Sequence, residues 1–88
     1  MNTLADKATA GVQARDVSFA GEHLCIELSD GRALGVPYKK TPWLKWLAKA
    51  TPKQRADWSL EPGGYAIYWE QLDDGVEIDY LLGEKSLN

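Results

Sequence analysis

Apolar residues alternate with other residues along the first third of the chain. Leu24, Ile26 and Leu28 are each separated by one residue, which is the period of a β-strand with one buried face. The segments before and after this one also have apolar residues at every second position. The short sequences Ala-Gly-Glu and Ser-Asp-Gly between the segments are typical of tight turns. The predicted strands span residues 12–19, 23–29 and 32–36. Three strands joined by tight turns predict an antiparallel meander.

The spacing of apolar residues becomes helical in the middle of the chain. Thr41 stands before a proline, an arrangement that places a capping oxygen ahead of a proline at the first helical position. Thr51 repeats this signal and adds Gln54 three positions later, so a capping box should start a second helix over residues 52–58. Pro52 would break a single long helix. The apolar face of the first helix carries Trp43, Trp46, Leu47 and Ala50.

The last third of the chain returns to a period of two. Residues 65–69 alternate as in a buried strand, and Val76 and Ile78 repeat the pattern after an acidic turn. Leucines follow, and Gly83 is the predicted C-cap of a short helical turn. We expect the N-terminal and C-terminal strands to form one curved sheet, with the two proline-initiated helices covering one side.

These elements predict an α+β fold. An antiparallel β-sheet, made of the N-terminal three-strand meander plus a C-terminal strand or strands, packs against two short helices, and a short helical turn closes the chain. Because the chain has 88 residues, it has room for one small core only. We expect a flexible arm over residues 1–11, a single compact domain over 12–83 and a frayed tail over 84–88.

The amino-acid composition limits where in the cell the protein is expected and which kinds of site it can form. Hydrophobic residues make up 44% of the chain and charged residues 26%, as in a soluble globular protein. Cys25 is the single cysteine, so neither an intrachain disulfide nor a cysteine zinc cluster can form. No apolar run approaches the ~20 residues of a membrane span, and the start of the chain lacks the features of a signal peptide. We therefore expect a cytoplasmic protein without a membrane partner.

Charge is distributed unevenly along the chain. Residues 1–60 carry nine basic and six acidic side chains, a net charge of +3, whereas residues 61–88 carry one basic and seven acidic side chains, a net charge of −6. Such segregation marks two candidate interaction surfaces. The basic candidates are Lys39, Lys40, Lys45, Lys49, Lys53 and Arg55. The acidic candidates are Asp73, Asp74 and Glu77.

Few residues have the types and spacings that catalysis or metal binding requires. His23 is the single histidine, and it shares a strand face with Cys25, but no third group that would orient a Cys–His nucleophile is evident. The acidic run from Asp73 to Asp79 does not match a calcium loop, and an aspartate there more simply bonds backbone amides of the turn. No phosphate-binding glycine motif occurs. We expect no catalytic residues, no metal and no cofactor.

The order of these signals resembles a known family. The residues that carry the resemblance are the Ser29-Asp30-Gly31 turn, Trp43-Leu44, Thr51-Pro52-x-Gln54-Arg55, Trp58, Gly64-Tyr65-x-Ile67-x-Trp69-x-x-Leu72-Asp73-Asp74 and Leu81-Leu82-Gly83. Over about residues 12–83 the chain resembles the small bacterial domain-of-unknown-function family DUF2442, with Gly75 standing where that family usually has another acid. The resemblance implies a compact α+β domain with no established activity. In the family it resembles, some relatives carry an added helix-turn-helix domain, and some are encoded beside a small partner protein in toxin–antitoxin-like pairs.

Three classes of function are compatible with these features. The first is a protein-interaction module, either the antitoxin-like member of a two-protein system or a homodimer in which the basic surface of one copy meets the acidic segment of the other. The second is a nucleic-acid-binding or regulatory domain that uses the basic helical surface over residues 39–55. The third is a small enzyme, which would require His23, Cys25 and a carboxylate to converge in a pocket.

Overall fold

Residues 11–86 form six β-strands and three short α-helices in the computed structural model, which describes the backbone of this range and the side chains as far as Gly83. The strands are β1 (Ala14–Ala20), β2 (His23–Leu28), β3 (Ala33–Pro37), β4 (Trp58–Leu60), β5 (Ala66–Trp69) and β6 (Asp74–Glu77). The helices are α1 (Lys45–Ala48), α2 (Pro52–Ala56) and α3 (Ile78–Ser86). The predicted α+β class is confirmed. The predicted arm, apart from its last residue, and the last two residues of the predicted tail lie outside the described residues.

The first sheet is the predicted antiparallel meander, in the order β1-β2-β3. Its register places Leu24 opposite Val36 and Ile26 opposite Leu34, so the alternating apolar residues share one buried face. The β2–β3 turn is closed by Asp30, whose carboxylate accepts hydrogen bonds from the backbone amide and the guanidinium of Arg32. Both hydrogen bonds hold the pKa of Asp30 below its ordinary value, and the bond from the Arg32 backbone amide has the larger effect.

The second sheet is separate from the first and has the order β4-β5-β6. The expectation of one curved sheet is therefore wrong, because β5 pairs with β4 on one side and with β6 on the other. Ile67 of β5 lies opposite Leu60 and Val76, and the 3₁₀ turn Glu70–Leu72 returns the chain directly into β6. Both edges of β5 are occupied by its neighbours in sequence, so neither is available to the N-terminal meander.

The helical segment is shorter and more broken than the sequence predicts. Thr41 does not cap a helix; its hydroxyl donates instead to the Pro37 carbonyl at 2.8 Å, and a 3₁₀ turn precedes α1. The capping box at Thr51 is confirmed, since its Oγ1 accepts from the Gln54 amide while the Gln54 side chain accepts from the Thr51 amide. Helix α2 ends at Ala56 because Trp58 already belongs to β4.

Helix α3 follows β6 without a loop and continues further than predicted. Ile78, expected to continue the strand, is its first residue. The expectation that Gly83 ends the helix is wrong: Gly83 does not adopt the positive φ of a C-cap glycine, and the helix continues to Ser86. The frayed tail predicted to begin at Glu84 is therefore helical over its first three residues. A glycine within a helix costs only about 1 kcal/mol, so it does not by itself end one.

Both sheets contribute to one hydrophobic core. Trp69 is at its centre with 0% exposure, as predicted; its ring lies edge-on to Trp46 at 5.6 Å, and its Nε1 donates to the Arg55 carbonyl at 2.9 Å. The backbones of the two halves also touch at Gly64, which has a φ of +74°. A Cβ atom there would lie 2.6 Å from the Ala14 carbonyl oxygen, so this approach requires glycine.

Candidate functional site

An open groove of about 520 Å³ lies between strand β6 and the segment that leads into α1. Its lining residues are Trp43, Trp46, Asp74, Gly75, Val76, Glu77 and Tyr80. One wall is thus aromatic and comes from the helical segment and α3, while the other is the short strand that carries two of the predicted acidic residues. We call this feature the aromatic–acidic groove.

The aromatic wall is held in place by its own contacts. The rings of Trp43 and Tyr80 meet edge to face, with centroids 4.9 Å apart and an angle of 86° between the ring planes. Trp46 Nε1 donates to the Trp43 carbonyl at 3.0 Å, and the Trp46 ring lies against the buried Trp69. The wall is therefore anchored to the core, while Tyr80 remains 53% exposed at the rim.

The acidic wall carries two exposed carboxylates, on Asp74 and Glu77. Asp74 Oδ1 accepts from the backbone amide of Gly75 at 2.9 Å, so the prediction that an aspartate bonds an amide of this turn is confirmed. Within residues 11–83, neither carboxylate lies within ion-pair distance of a basic side chain. The groove therefore combines aromatic rings with two carboxylates that no basic side chain of residues 11–83 neutralises.

A second, smaller groove continues the same surface on the far side of Glu77. It has a volume of about 380 Å³ and is lined by Tyr65, Ala66, Glu77 and Asp79. Tyr65 is 47% exposed, and its hydroxyl accepts from the Gln13 side chain at 3.2 Å. Within the part of the chain that the structure describes, Tyr65 and Tyr80 are the most exposed large apolar side chains, and both stand beside Glu77. Exposed aromatic residues of this kind mark binding surfaces.

The third predicted acidic residue, Asp73, has a different role. It adopts a left-handed conformation with φ of +52° at the end of the 3₁₀ turn, and it does not line the aromatic–acidic groove. Its Oδ1 accepts a hydrogen bond from the Tyr68 hydroxyl at 2.8 Å. This bond stabilises the protonated phenol and raises the pKa of Tyr68 above its ordinary value.

The predicted basic surface is only partly available for binding. Four lysines are exposed and form no ion pair within residues 11–83: Lys40, Lys45, Lys49 and Lys53. Lys39 is also exposed but lies 3.7 Å from the Glu22 carboxylate. The basic side chains therefore extend along the helical segment and do not line the aromatic–acidic groove.

Arg55 differs from the free surface charge that the sequence predicts. Its guanidinium is half-buried and donates to the carbonyls of Ala50, at 2.6 Å, and Leu47, at 3.3 Å. It also lies 5.2 Å from the centre of the Tyr38 ring, a cation–π arrangement. Arg55 thus satisfies carbonyls at the end of α1 and belongs to the structural framework.

The predicted His23–Cys25 pair lies at the surface of the first sheet. His23 is exposed and Cys25 is half-buried on the same face of β2, and the Cys25 thiol lies 4.0 Å from the His23 carbonyl oxygen. Within the same range, no three His, Cys, Asp or Glu side chains are close enough together to hold a metal ion. None of the described helices is long and apolar enough to cross a membrane.

Comparison with known proteins places the chain in a family without a known function. The model of the family described as "Protein of unknown function (DUF2442)" matches residues 14–86, and the chain belongs to that family. A solved structure of a protein of unknown function from Rhodospirillum rubrum has the same fold, with a TM-score of 0.70 at 19% sequence identity. The match covers 83% of this chain and 87% of that one. No functionally curated protein matches the chain.

Proposed function

We propose that this protein is a protein-interaction module whose aromatic–acidic groove binds a lysine or arginine side chain of a partner protein. The observation that carries the proposal is the exposed Tyr80 ring beside Trp43, with the Asp74 and Glu77 carboxylates on the facing wall. A cation placed over such rings gains about 0.5–2 kcal/mol, depending on how far it is desolvated. The two negatively charged carboxylates also attract the cation.

The shape of the groove favours a protein partner over a small molecule. Small-molecule sites usually enclose most of their ligand within a deep, largely apolar pocket. The aromatic–acidic groove is open and continues past Glu77 into the second groove beside Tyr65. A surface of this extent suits a side chain that arrives as part of a longer segment, which contacts several lining residues at once.

The partner in this proposal is a second protein, as in a two-protein system in which this chain is the antitoxin-like member. Homodimerisation is the related alternative, because the exposed lysines of one copy have the charge that the groove of another copy would attract. In both arrangements Asp74 and Glu77 provide the recognition charges. The two arrangements differ in the identity of the molecule that occupies the groove.

Site-specific cross-linking tests the proposal. A photoreactive phenylalanine analogue replaces Tyr80, the protein is expressed in its source cells, and cross-linked peptides are identified by mass spectrometry. We expect a single dominant partner with a lysine or arginine next to the cross-linked residue. Substitution of both groove carboxylates, D74N with E77Q, should remove the cross-link. The matched control is D16N with E27Q, which removes two exposed, cross-strand acids from the first sheet.

Two results would contradict the proposal. The first is a cross-link that persists unchanged in the groove double variant, because the captured contact would then not depend on the carboxylates. The second is the absence of any cross-linked protein under conditions in which the D16N/E27Q control is folded and expressed at the level of the wild type. A cross-link from Tyr80 to another copy of this chain would identify the homodimer.

A second candidate function is nucleic-acid binding through the helical segment. It is favoured by four exposed lysines of that segment that have no ion-pair partner within residues 11–83: Lys40, Lys45, Lys49 and Lys53. The short helices count against it, since α1 has four residues and α2 has five, too few for a recognition helix. Titration of duplex and single-stranded DNA at increasing salt concentrations tests it. Affinity that falls steeply with salt supports it, and no binding at low salt ends it.

A further inference from the structure

Strand β6 lines the aromatic–acidic groove with its edge. All four of its residues, Asp74–Glu77, contribute to the lining. A groove over the face of a sheet would be lined by alternate residues only, because successive side chains of a strand point to opposite faces. Strand β6 is also the last strand of its sheet, and no strand within residues 11–86 lies on its outer side. The groove therefore follows an open sheet edge.

The backbone register shows which groups of β6 face outward. The Ile78 amide donates to the Tyr65 carbonyl of the β5 side at 2.9 Å. In an antiparallel ladder, hydrogen-bonding groups of successive residues point alternately toward and away from the neighbouring strand. Val76 therefore faces β5 as Ile78 does, whereas Gly75 and Glu77 turn their backbone groups toward the groove. The Gly75 amide donates a hydrogen bond to Asp74 Oδ1, which agrees with this orientation.

We propose that the groove is occupied by an extended segment of the partner that adds to the second sheet as a fourth strand beside β6. The Gly75 carbonyl and the Glu77 amide provide the main-chain hydrogen bonds, and a lysine or arginine of the segment reaches the rings of Trp43 and Tyr80. Strand addition of this kind combines sequence-independent backbone pairing with side-chain pockets that select the partner. This inference rests on the proposed function, since it specifies how the same groove is occupied.

Charge excludes β6 of a second copy as the added strand. Strand β6 carries two carboxylates and no basic residue, so antiparallel pairing of two β6 strands would bring four negative charges together along one short ladder, which is destabilising. Acidic residues on an edge strand prevent such self-pairing, while they attract a segment of opposite charge.

The other described edge strands of this chain do not provide that opposite charge. Strand β1 carries Arg15 next to Asp16, and neither β3 nor β4 contains a basic residue. A second copy therefore offers no cationic strand within residues 11–86. The occupant that fits the groove is an extended, lysine- or arginine-bearing segment of a different protein.

A synthetic peptide tests strand addition by nuclear magnetic resonance. The probe is an acetylated and amidated seven-residue peptide of alternating threonine and lysine, titrated into the full-length ¹⁵N-labelled protein. We expect shifts of the Trp43 and Trp46 indole signals and of the Glu77 amide. Exchange of the Glu77 amide with solvent should slow by about tenfold at saturation, because that amide becomes hydrogen-bonded. A peptide with glutamate in place of lysine controls for charge and should not bind.

N-methylated peptides separate strand pairing from simple charge recognition. One isomer is methylated on the lysine amides and the other on alternate threonine amides, so both keep the charge of the probe. An edge strand bonds only the amides on one side of an incoming strand. We therefore expect one isomer to lose about tenfold or more in affinity while the other stays within about threefold of the unmodified peptide.

Each remaining outcome overturns a defined part of the inference. If both isomers bind as tightly as the unmodified peptide, strand addition is wrong and the proposed function stands. If the unmodified peptide causes no shifts at concentrations of about 2 mM, cationic recognition by this groove fails and both proposals fall. If sedimentation shows a dimer that the D74N/E77Q variant abolishes, a second copy occupies the groove and the assignment to a different protein is overturned.

Discussion

Replacement of Arg55 by alanine should destabilise the fold, although the side chain carries a charge that the sequence alone would place on the surface. Its guanidinium donates at 2.6 Å to the Ala50 carbonyl and at 3.3 Å to the Leu47 carbonyl, and it lies 5.2 Å from the centre of the Tyr38 ring. R55A removes all three interactions and leaves two carbonyls at the end of α1 without that donor. Within residues 11–83, the exposed Lys53, in the same helix as Arg55, forms no ion pair and no cation–π contact.

The size of the effect follows from these contacts. The short bond to the Ala50 carbonyl is charge-assisted, and bonds of this type contribute about 1.5–3 kcal/mol. The cation–π contact with Tyr38 adds about 0.5–1 kcal/mol. We therefore expect R55A to lower the free energy of unfolding by about 2–4 kcal/mol. A domain of this length has a total of roughly 4–13 kcal/mol, so a large part of its stability is at stake.

Urea denaturation followed by tryptophan fluorescence measures this change, and thermal unfolding followed by circular dichroism should show a fall in Tm of about 4–8 °C per kcal/mol. R55M keeps the aliphatic stem and should lose nearly as much as R55A, which assigns the effect to the guanidinium. The matched control is K53A, an exposed position in the same helix, which should change stability by less than about 0.5 kcal/mol. An R55A variant as stable as K53A would refute the structural role of Arg55.

Two further predictions concern the contact between the halves and the acidic turn. G64A should lower the free energy of unfolding by about 3 kcal/mol or more, because the added Cβ would lie 2.6 Å from the Ala14 carbonyl oxygen. The control is G21A, which is also at positive φ but in open space. It should cost about 1 kcal/mol in the same urea assay. The Tyr68 pKa should lie above 10.0 and fall towards it in D73N, as read by a titration of the ring resonances. The hydrogen bond stabilises the fold fully below about pH 10, and that stabilisation should disappear as the pH rises through the Tyr68 pKa; equal Tyr68 pKa values in wild type and D73N would contradict this interpretation.

Features that depend on neighbouring residues could be predicted from the sequence. The hairpin between β2 and β3 follows from alternating apolar residues around an Asp-Gly turn, and the capping box follows from Thr51 and Gln54, three positions apart. The burial of Trp69 follows from its place in an alternating run. Each of these features is determined within about ten residues of chain, so the pattern and its physical cause lie in the same short segment.

Features that depend on distant residues could not be predicted. Alternation identifies β5 as a strand but does not say which strands flank it, and three-residue β4 is too short for its period to be recognised. The structural role of Arg55 depends on the carbonyls of Leu47 and Ala50, which accept from its guanidinium, and the sequence does not show that these groups lie close together. The groove joins Trp43 to Tyr80, and local sequence patterns contain nothing that brings positions so far apart together.

Every strand within residues 11–86 pairs only with strands adjacent to it in sequence. Little chain entropy is lost in closing such short loops, and proteins dominated by local pairings cross their folding barrier quickly. Each meander can therefore form early and independently, with the indole of Trp69 inserted between them later. In a chevron plot, truncation of that ring should chiefly accelerate unfolding, whereas disruption of the β2–β3 turn should chiefly slow refolding.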